Sequence, residues 1–280
     1  MREQSSLRTY ADTRFASKGG KRALSAQHAP RQNHLLAALP LEDYERLLPD
    51  LQPVPLPLGW TVHLSGDAER YLYFITAGIV SRFHVTEKGE SAGFALTGSE
   101  GVIGVASFLS GECTRSQAMV LSAGYAYRLG AELVKHEFKR ASPLRHLLLR
   151  YTQSLIAQTG QIAVCNRHHS LEQQLCRWIL SSLDRLSSNV LTMTHELIAD
   201  MLGVRRGGVT DAAGKLQEAG LIQYSRGRIA VLDRSQLEAR ACECYGVLKR
   251  EHAHLLRAEN TVGNAGVYGS YRQYRTGAGW

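Results

Sequence analysis

Residues 191–232 constrain the fold more than any other part of the sequence, because they predict two short helices in immediate succession. Thr194 can cap the first helix, and Gly203 can supply the left-handed turn that ends it. Two short helices joined through a glycine-containing turn predict a helix-turn-helix, here over about 194–216. Because the second helix of such a motif can enter the major groove of DNA, nucleic acid is a candidate partner.

The second helix and the strands after it extend this prediction. The helix begins near residue 204 or 205 and closes at Gly220, and its apolar residues have helical spacing. Two strand-like stretches then predict a β-hairpin wing over 221–232. Arg226 and Arg228 of the wing would lie near the sugar-phosphate backbone. Two helices around a glycine also occur in proteins that never bind DNA, so the combination with basic residues carries the argument.

Composition agrees with a soluble nucleic-acid-binding protein of about two domains. The 280 residues are 44% hydrophobic and 21% charged, and no apolar run approaches the length of a membrane span. The formal net charge is +8, and excess Lys and Arg attracts polyanions through counterion release. Part of this excess falls within residues 1–32, so net charge is weaker evidence for nucleic-acid binding if that segment is a tail.

The five cysteines are odd in number and scattered, which does not predict a secreted disulfide framework. With no secretory signal at the start of the sequence, we expect a reducing, cytoplasmic location and no membrane partner. Cys165 with His168 and His169, and Cys242 with Cys244, resemble metal ligands, but neither group has four. We therefore expect no metal site, and a redox role for Cys165 is left open.

The remaining sequence divides into segments that differ in composition and in the spacing of apolar residues. Leucines at helical spacing predict one or two short helices between about 33 and 50. From 51 to about 129, short apolar stretches alternate with glycines, which predicts a β-sandwich or small barrel. Residues 1–32 are polar and basic and predict a disordered tail, and residues 260–280, rich in Gly and Tyr, predict a flexible one.

Ser142-Pro143 predicts the start of a long helix whose residues repeat at alternating steps of four and three. Packing on its own domain is one explanation, and a parallel homodimer is the preferred one. The predicted dimer seam consists of Leu144, Leu148, Tyr151, Leu155, Gln158, Ile162 and Cys165. Capping-box patterns at Ser170 and Ser235 predict two further helices, the later one continuous to about residue 255.

The stretch ELIADMLGVRRGGVT, residues 196–210, resembles the DNA-binding motif of the Crp/Fnr family of transcription regulators. The resemblance covers roughly residues 33–240. It implies an α+β fold that binds double-stranded DNA as a homodimer at an inverted repeat, with RNA polymerase as a further partner. The implied domains are a disordered basic tail (1–32), a cyclic-nucleotide-binding-like β-roll or jelly-roll sensor (33–141), a dimerisation helix (142–169), a winged helix-turn-helix domain (170–240), a C-terminal helix (241–259) and a flexible tail (260–280).

The family motif assigns DNA-contacting roles to the start of the second helix. Arg206 is implied to contact a guanine edge with its planar fork, and Gly207 replaces a base-reading Glu of other members. Because Gly207 has no side chain that can read a base, we expect a DNA half-site that differs from that of other members, or recognition that depends more on DNA shape. The full implied set is Arg205, Arg206, Gly207, Gly208, Thr210, Asp211, Lys215 and Arg226.

The resemblance also addresses the effector. In members that bind cyclic AMP, a Gly-Glu pair holds the ribose and an Arg-Ser pair the phosphate. Here Gly104, Arg115 and Ser116 match, but Val105 replaces the Glu, so we expect a different anionic effector or none. An iron–sulfur cluster is not expected, because no cysteine precedes Cys113.

Two other function classes were weighed. A small-molecule-binding module whose basic C-terminal domain contacts a protein or RNA is the main alternative, and preference for palindromic duplex DNA would discriminate against it. An enzyme is not expected, because no carboxylate pair or nucleophile–base arrangement has recognisable spacing.

Overall fold

The computed structural model describes residues 29–109 and 113–255. The predicted tails lie outside these residues, except that Pro30–Gln32 forms one turn of 3-10 helix. Within the described ranges, no helix is both long and apolar enough to cross a bilayer.

The N-terminal half contains strands, as the alternation of apolar stretches and glycines predicts, and they form one six-stranded antiparallel sheet. Strand β3 lies at its centre, with β6 on one side and β4 on the other, and β1 pairs with the far edge of β6. The short strand β2 also pairs with β6, and the short strand β5 also pairs with β3. The strands are β1 (Gln52–Leu56), β2 (Thr61–His63), β3 (Tyr71–Val85), β4 (Ser91–Thr97), β5 (Val102–Ile103) and β6 (Gln117–Gly130).

Two glycines let β3 and β6 approach closely where their register shifts. A Cβ atom on Gly78, whose φ is +90°, would lie 2.5 Å from the carbonyl oxygen of Ser122. A Cβ on Gly124 would overlap the carbonyl oxygen of Ala77. Because neither position has room for a side chain, glycine is required at both.

Four short helices and one long helix accompany the sheet in this half. Asn33 is buried and joins them to the sheet, since its side chain caps the first helix and donates to the carbonyl oxygens of Ile75 and Gly101 at 2.9 and 2.8 Å. The helices are α1 (His34–Ala37), α2 (Leu41–Leu47), α3 (Ala106–Leu109), α4 (Ala131–Lys139) and the long α5 (Pro143–His168).

The structure places the predicted dimer seam on the face of α5 that packs against the chain itself. Those residues have the predicted spacing but are turned toward the chain itself, so they are not free to contact a partner helix. Tyr151 donates to the carbonyl oxygen of Val102 at 3.0 Å, and Gln158 accepts from the amide of Leu96 at 3.1 Å. The residues concerned are Leu144, Leu148, Tyr151, Gln158, Ile162 and Cys165, which are buried, and Leu155, which is partly buried.

The C-terminal half contains the predicted helix-turn-helix and hairpin, with a third strand, β7, that the sequence did not predict. The predicted capping box is present, because Ser170 accepts from the Gln173 amide and Gln173 accepts from the Ser170 amide. The elements are α6 (Leu171–Leu183), β7 (Val190–Thr192), α7 (His195–Leu202), α8 (Arg206–Glu218), β8 (Ile222–Ser225), β9 (Arg228–Val231), α9 (Arg234–Arg240) and α10 (Cys244–Leu255).

The prediction of one late helix capped by Ser235 is wrong in two respects. Asp233 is the cap, accepting from the amide of Gln236 at 3.0 Å, and Ser235 already lies in the first turn. The helix then stops at Arg240, because Ala241 is extended with a ψ of 155°. The chain therefore makes two helices, α9 and α10, where the spacing predicted one.

The two halves share one core. Ile79, Phe83 and Leu96 of the sheet pack in the same cluster as residues of α6, α7 and α8. Beside this cluster, Arg185 donates to the buried carboxylate of Glu100 at 2.7 Å. Burial alone would raise the pKa of Glu100, but the Arg185 guanidinium, helped by the hydrogen bond from the amide of Gly98, more than offsets that effect and lowers it. An ionised carboxylate thus joins the sheet to the segment after α6.

Breaking this buried ion pair should strongly destabilise the protein. We expect Glu100→Leu to lower the free energy of unfolding by about 3–5 kcal/mol, because it leaves the Arg185 guanidinium buried without its carboxylate. The double variant Glu100→Leu/Arg185→Met should recover most of that loss in denaturant titrations.

The matched control is Glu132→Gln, which removes an exposed ion pair with Lys135 and should leave the unfolding midpoint unchanged. A double variant as unstable as Glu100→Leu alone would contradict the explanation by an unpaired charge.

Candidate DNA-binding surface and sensor site

Local sequence signals form the turn between α7 and α8, as predicted. The Thr194 side chain accepts from the amide of Leu197 at 3.2 Å and so caps α7. Gly203 ends α7 with a φ of +69°, in the left-handed region that favours glycine. After this turn, the start of α8 is exposed at the surface.

Helix α8 separates into a buried and an exposed face. Val209, Ala212, Ala213 and Leu216 are buried, which confirms the predicted inward face. The opposite face, here called the recognition surface, consists of Arg205, Arg206, Gly207, Thr210, Asp211 and Lys215, all of them exposed.

Gly208 departs from the expected set. It is half-buried, and a Cβ at this position would lie 2.8 Å from a terminal methyl of Leu171. A side chain would therefore press against α6, so the glycine serves the packing of α8 onto α6. A Cβ on Gly207 would have nothing within 4 Å, and this residue lies open on the surface.

Arg206 is held only loosely. Its Nε lies 3.7 Å from a carboxylate oxygen of Glu196, and both side chains are about two-thirds exposed, at 70% and 66%. Exposed ion pairs of this kind contribute little to stability. The guanidinium is therefore free to exchange Glu196 for another hydrogen-bonding partner.

Thr210 is fixed by groups that sequence reasoning did not identify. Its hydroxyl donates to the carbonyl oxygen of Arg206 at 3.1 Å and lies 3.1 Å from Nδ1 of His195. The His195 ring stacks on Tyr224 of β8, with ring centroids 3.8 Å apart. Burial, and secondarily Arg206, lowers the pKa of His195, so its imidazole is neutral near pH 7. This contact ties the recognition surface to the wing.

The predicted wing is present as a two-residue hairpin. Ser225 pairs with Arg228, and the two residues between them, Arg226 and Gly227, have φ values of +48° and +74°. Positive φ at both positions is the geometry of a type I′ turn. Arg226 and Arg228 are exposed on this hairpin.

The helix-turn-helix rests directly on the sheet of the sensor. A Cβ on Gly93 of β4 would lie 2.9 Å from the carbonyl oxygen of Met201, and the Ser91 hydroxyl donates to the carbonyl oxygen of Asp200 at 3.1 Å. Strand β4 thus contacts the backbone of α7, the helix that precedes the recognition surface.

A buried carboxylate lies next to Gly104 and Val105 of the predicted effector segment. Gly104 has a φ of +108°, Val105 is buried, and Arg115 is exposed. At the start of α3, the amide of Ala106 donates to the carboxylate of Glu69 at 2.6 Å. Burial raises the pKa of Glu69, although Arg82 and this hydrogen bond oppose the shift. Sequence reasoning missed Glu69, because nothing in its neighbourhood marks a side chain that reaches α3.

Glu69 also borders a cleft of about 340 Å³ in the sensor. His63 lines the same cleft, with Nδ1 3.4 Å from the Glu69 carboxylate. Burial, with a smaller effect of Arg82, lowers the pKa of His63 to about 4. Arg115 is not among the residues that line this cleft.

Cys165 is buried and contacts residues that are distant in sequence. Its Sγ is 3.5 Å from that of Cys242, and Cys244 Sγ is 3.5 Å from Nδ1 of His169. These four residues form the cysteine–histidine cluster, whose ligand atoms all lie within 4.8 Å of one another. The hydrogen bond with Cys242, together with Arg177 and His169, lowers the pKa of Cys165 to about 5 despite its burial.

Comparison with known proteins agrees with this architecture. Residues 53–140 match the family model of the cyclic nucleotide-binding domain, and residues 173–240 match that of the Crp-like helix-turn-helix domain. The chain is 26% identical over 185 residues to the Global nitrogen regulator of Synechococcus elongatus, an alignment that covers 62% of this chain and 83% of the relative.

Solved structures show the same fold at low sequence identity. FixK2 from Bradyrhizobium japonicum superposes with a TM-score of 0.60 at 15% identity, covering 69% of this chain and 98% of that one. A transcriptional regulator of the CRP family from Thermus thermophilus gives 0.58 at 22% identity, covering 67% and 96%. The predicted α+β fold class is confirmed.

The hairpin turn gives a direct test of the wing geometry. Asn tolerates left-handed backbone better than β-branched residues do, so Arg226→Asn should leave the thermal midpoint unchanged. Arg226→Val should lower the free energy of unfolding by about 1–2 kcal/mol relative to Arg226→Asn. Equal midpoints for the two variants would show that residue 226 does not adopt positive φ in solution.

Proposed function

We propose that this chain, which belongs to the Crp/Fnr family of DNA-binding transcription regulators, binds an inverted-repeat site as a homodimer. The observation that carries the proposal is the recognition surface, which places exposed basic and polar groups at the start of a helix beside a basic wing. Two copies of α8 would enter successive major grooves about one helical turn apart.

Each residue of the recognition surface is assigned a role by its exposure. Arg206 is the residue that bonds guanine O6 and N7, because its exposed guanidinium has only a weak ion pair to lose. Arg205, Lys215 and Arg226 contact phosphates, since they surround that position and carry the positive charge. Thr210 contributes a hydroxyl whose orientation is set by His195.

Gly207 shapes the specificity. With no side chain and open space around it, Gly207 offers no hydrogen bond to a base and lets the helix approach the groove closely. Specificity at the base pair facing it therefore depends on DNA shape or on neighbours such as Asp211.

The homodimer forms through the outer face of α5. An exposed row on this helix, here called the dimer stripe, follows alternating steps of four and three and consists of Leu149, Gln153, Ile156, Gly160 and Ala163. Ile156 is 68% exposed and Leu149 is 40% exposed, which is unusual for large apolar side chains. Gly160 has nothing of its own chain near a Cβ position, so a partner helix can approach closely there.

The sensor is inferred to respond to something other than cyclic AMP. Val105 provides no carboxylate for a ribose hydroxyl, and the first amide of α3 is already occupied by Glu69. A buried carboxylate at this position would repel a phosphate placed beside it. An anionic ligand that uses the exposed Arg115, or no ligand at all, fits these residues better. A contact with RNA polymerase, implied by family membership, stays a prediction.

The DNA-binding proposal is tested on sites selected from a random duplex pool with the purified protein. On the selected site, Arg206→Ala should weaken binding by about 1–3 kcal/mol, because a bidentate base contact is lost. Lys215→Ala should weaken binding to selected and random duplexes alike and reduce the salt dependence by about one unit of slope. Fluorescence anisotropy at several salt concentrations measures both effects.

The two variants serve as controls for each other, since each removes one exposed cation near the DNA. An equal loss for Arg206→Ala on selected and random DNA would contradict its base-reading role. Failure to select any palindromic site would contradict the proposal as a whole and favour a protein or RNA partner.

The dimer stripe predicts the oligomeric state of one variant. Ile156→Glu should convert the dimer to a monomer, because it places two like charges in an apolar helix–helix contact. Asn166→Glu, on the exposed surface of the same helix but outside the stripe, should remain dimeric. Light scattering coupled to gel filtration measures the mass, and a dimeric Ile156→Glu variant would place the interface elsewhere.

A further inference from the structure

The cysteine–histidine cluster joins two parts of the chain that are far apart in sequence. Cys165 and His169 lie at the end of α5, four residues apart and therefore on the same side of the helix. Cys242 lies in the connection between α9 and α10, and Cys244 is the first residue of α10. Each pair has too few ligands for a metal site, but together they supply three sulfur atoms and one nitrogen.

Two of the distances between these atoms are close to those around a single zinc ion, and all four atoms lie within 4.8 Å of one another. With Zn–S near 2.3 Å and Zn–N near 2.1 Å, a tetrahedral site has sulfur atoms about 3.8 Å apart and sulfur and nitrogen about 3.6 Å apart. In the structure, Cys165 and Cys242 Sγ atoms are 3.5 Å apart, as are Cys244 Sγ and His169 Nδ1. Small side-chain adjustments would bring all four atoms to an ion between them.

The groups around the cysteine–histidine cluster are those expected around the ligands of a cation, not around free thiols. His169 directs Nδ1 toward the sulfur atoms, while its Nε2 lies 3.2 Å from a carboxylate oxygen of Glu243. A carboxylate bonded to the far nitrogen is the arrangement that orients a metal-binding imidazole.

Two donors point at the sulfur atoms. Arg177 Nε donates to Cys165 Sγ at 3.2 Å, and Gln161 Nε2 donates to Cys244 Sγ at 3.0 Å. Arg177 is only 3% exposed, and a buried guanidinium requires a negatively charged partner. Three thiolates and one neutral imidazole around Zn²⁺ carry one net negative charge, which Arg177 would balance.

We propose that Cys165, His169, Cys242 and Cys244 bind one Zn²⁺ ion in a closed tetrahedral site. Sulfur-rich tetrahedral ligation favours zinc over magnesium or calcium, which require oxygen ligands. With four protein ligands and no open position, the site is structural.

The position of the site defines what it stabilises. The first ligand pair immediately precedes Ser170, where the helix-turn-helix domain begins, and the second immediately follows Arg240, where α9 ends. One ion therefore fastens both ends of the DNA-binding domain to the end of α5. The extended Ala241, which interrupts the expected continuous helix, places Cys242 and Cys244 at the ion.

The metal content of the full-length protein, purified without a histidine tag from cells supplied with zinc, tests the proposal. Mass spectrometry of the elements should find about one zinc per chain. The variant Cys242→Ser/Cys244→Ser should hold about tenfold less zinc or lower. The control Cys113→Ser/Cys176→Ser removes two cysteines outside the cluster and should keep its zinc. Likewise, His169→Gln should lose zinc, and His168→Gln, at an exposed neighbour, should retain it.

A second measurement uses the wild-type chain and does not depend on how a variant folds. Metal-free protein titrated with Co²⁺ should develop the strong visible absorption of a tetrahedral thiolate site, and zinc should protect three thiols from a thiol reagent. Neither readout involves DNA, so a failure here is distinct from a failure of the proposed function.

Three results of these measurements would overturn the proposal, and a fourth observation would do so independently. They are zinc far below one per chain in the wild type, equal zinc in the Cys242→Ser/Cys244→Ser variant, and an octahedral cobalt spectrum. Isolation of a Cys165–Cys242 disulfide as the native form would also exclude the site, because those sulfurs could not then both bind the ion.

Discussion

The orientation of the recognition helix depends on a core that runs without interruption from the sensor sheet into the helix-turn-helix. Strand β4 touches the backbone of α7 at Gly93, where no larger residue fits, and the Glu100–Arg185 pair joins the two halves beside this contact. Because a close-packed interior transmits small displacements instead of absorbing them, movement of β4 would move α7 and the recognition surface with it. The sheet of the N-terminal half and the DNA-binding domain therefore share one core within the chain.

Helix α5 adds a second constraint, because its two faces have different partners. The inner face is occupied by the chain's own sheet, by α10 through Gln158 and His252, and by the cysteine–histidine cluster at its end. Within the described part of the chain, the outer face of α5 is exposed. Burial, and secondarily Arg185, lowers the pKa of His252 to about 4, which keeps this histidine neutral next to the Glu100–Arg185 pair. Helix α5 thus carries both the contacts to the C-terminal half and the face proposed for dimerisation.

Local features of the candidate site could be predicted from sequence because each depends on a few neighbouring residues. Thr194, Gly203 and Gly220 determine where helices start and stop, and the apolar spacing identifies the buried face of α8. The wing and the capping box at Ser170 were predicted for the same reason. By contrast, Glu69 and His195 act through residues distant along the chain, at α3 and on Tyr224, and no local pattern marks them.

The amino-acid sequence by itself determined the element types, the helix-turn-helix with its wing and the family. Only the tertiary structure decided which face of α5 is free, because two rows of residues on this helix share the same spacing and periodicity cannot distinguish them. It also decided that Gly208 faces α6 and that two incomplete ligand pairs meet. In each case the deciding quantity is a distance between segments, which depends on how the whole chain packs and not on any stretch of it.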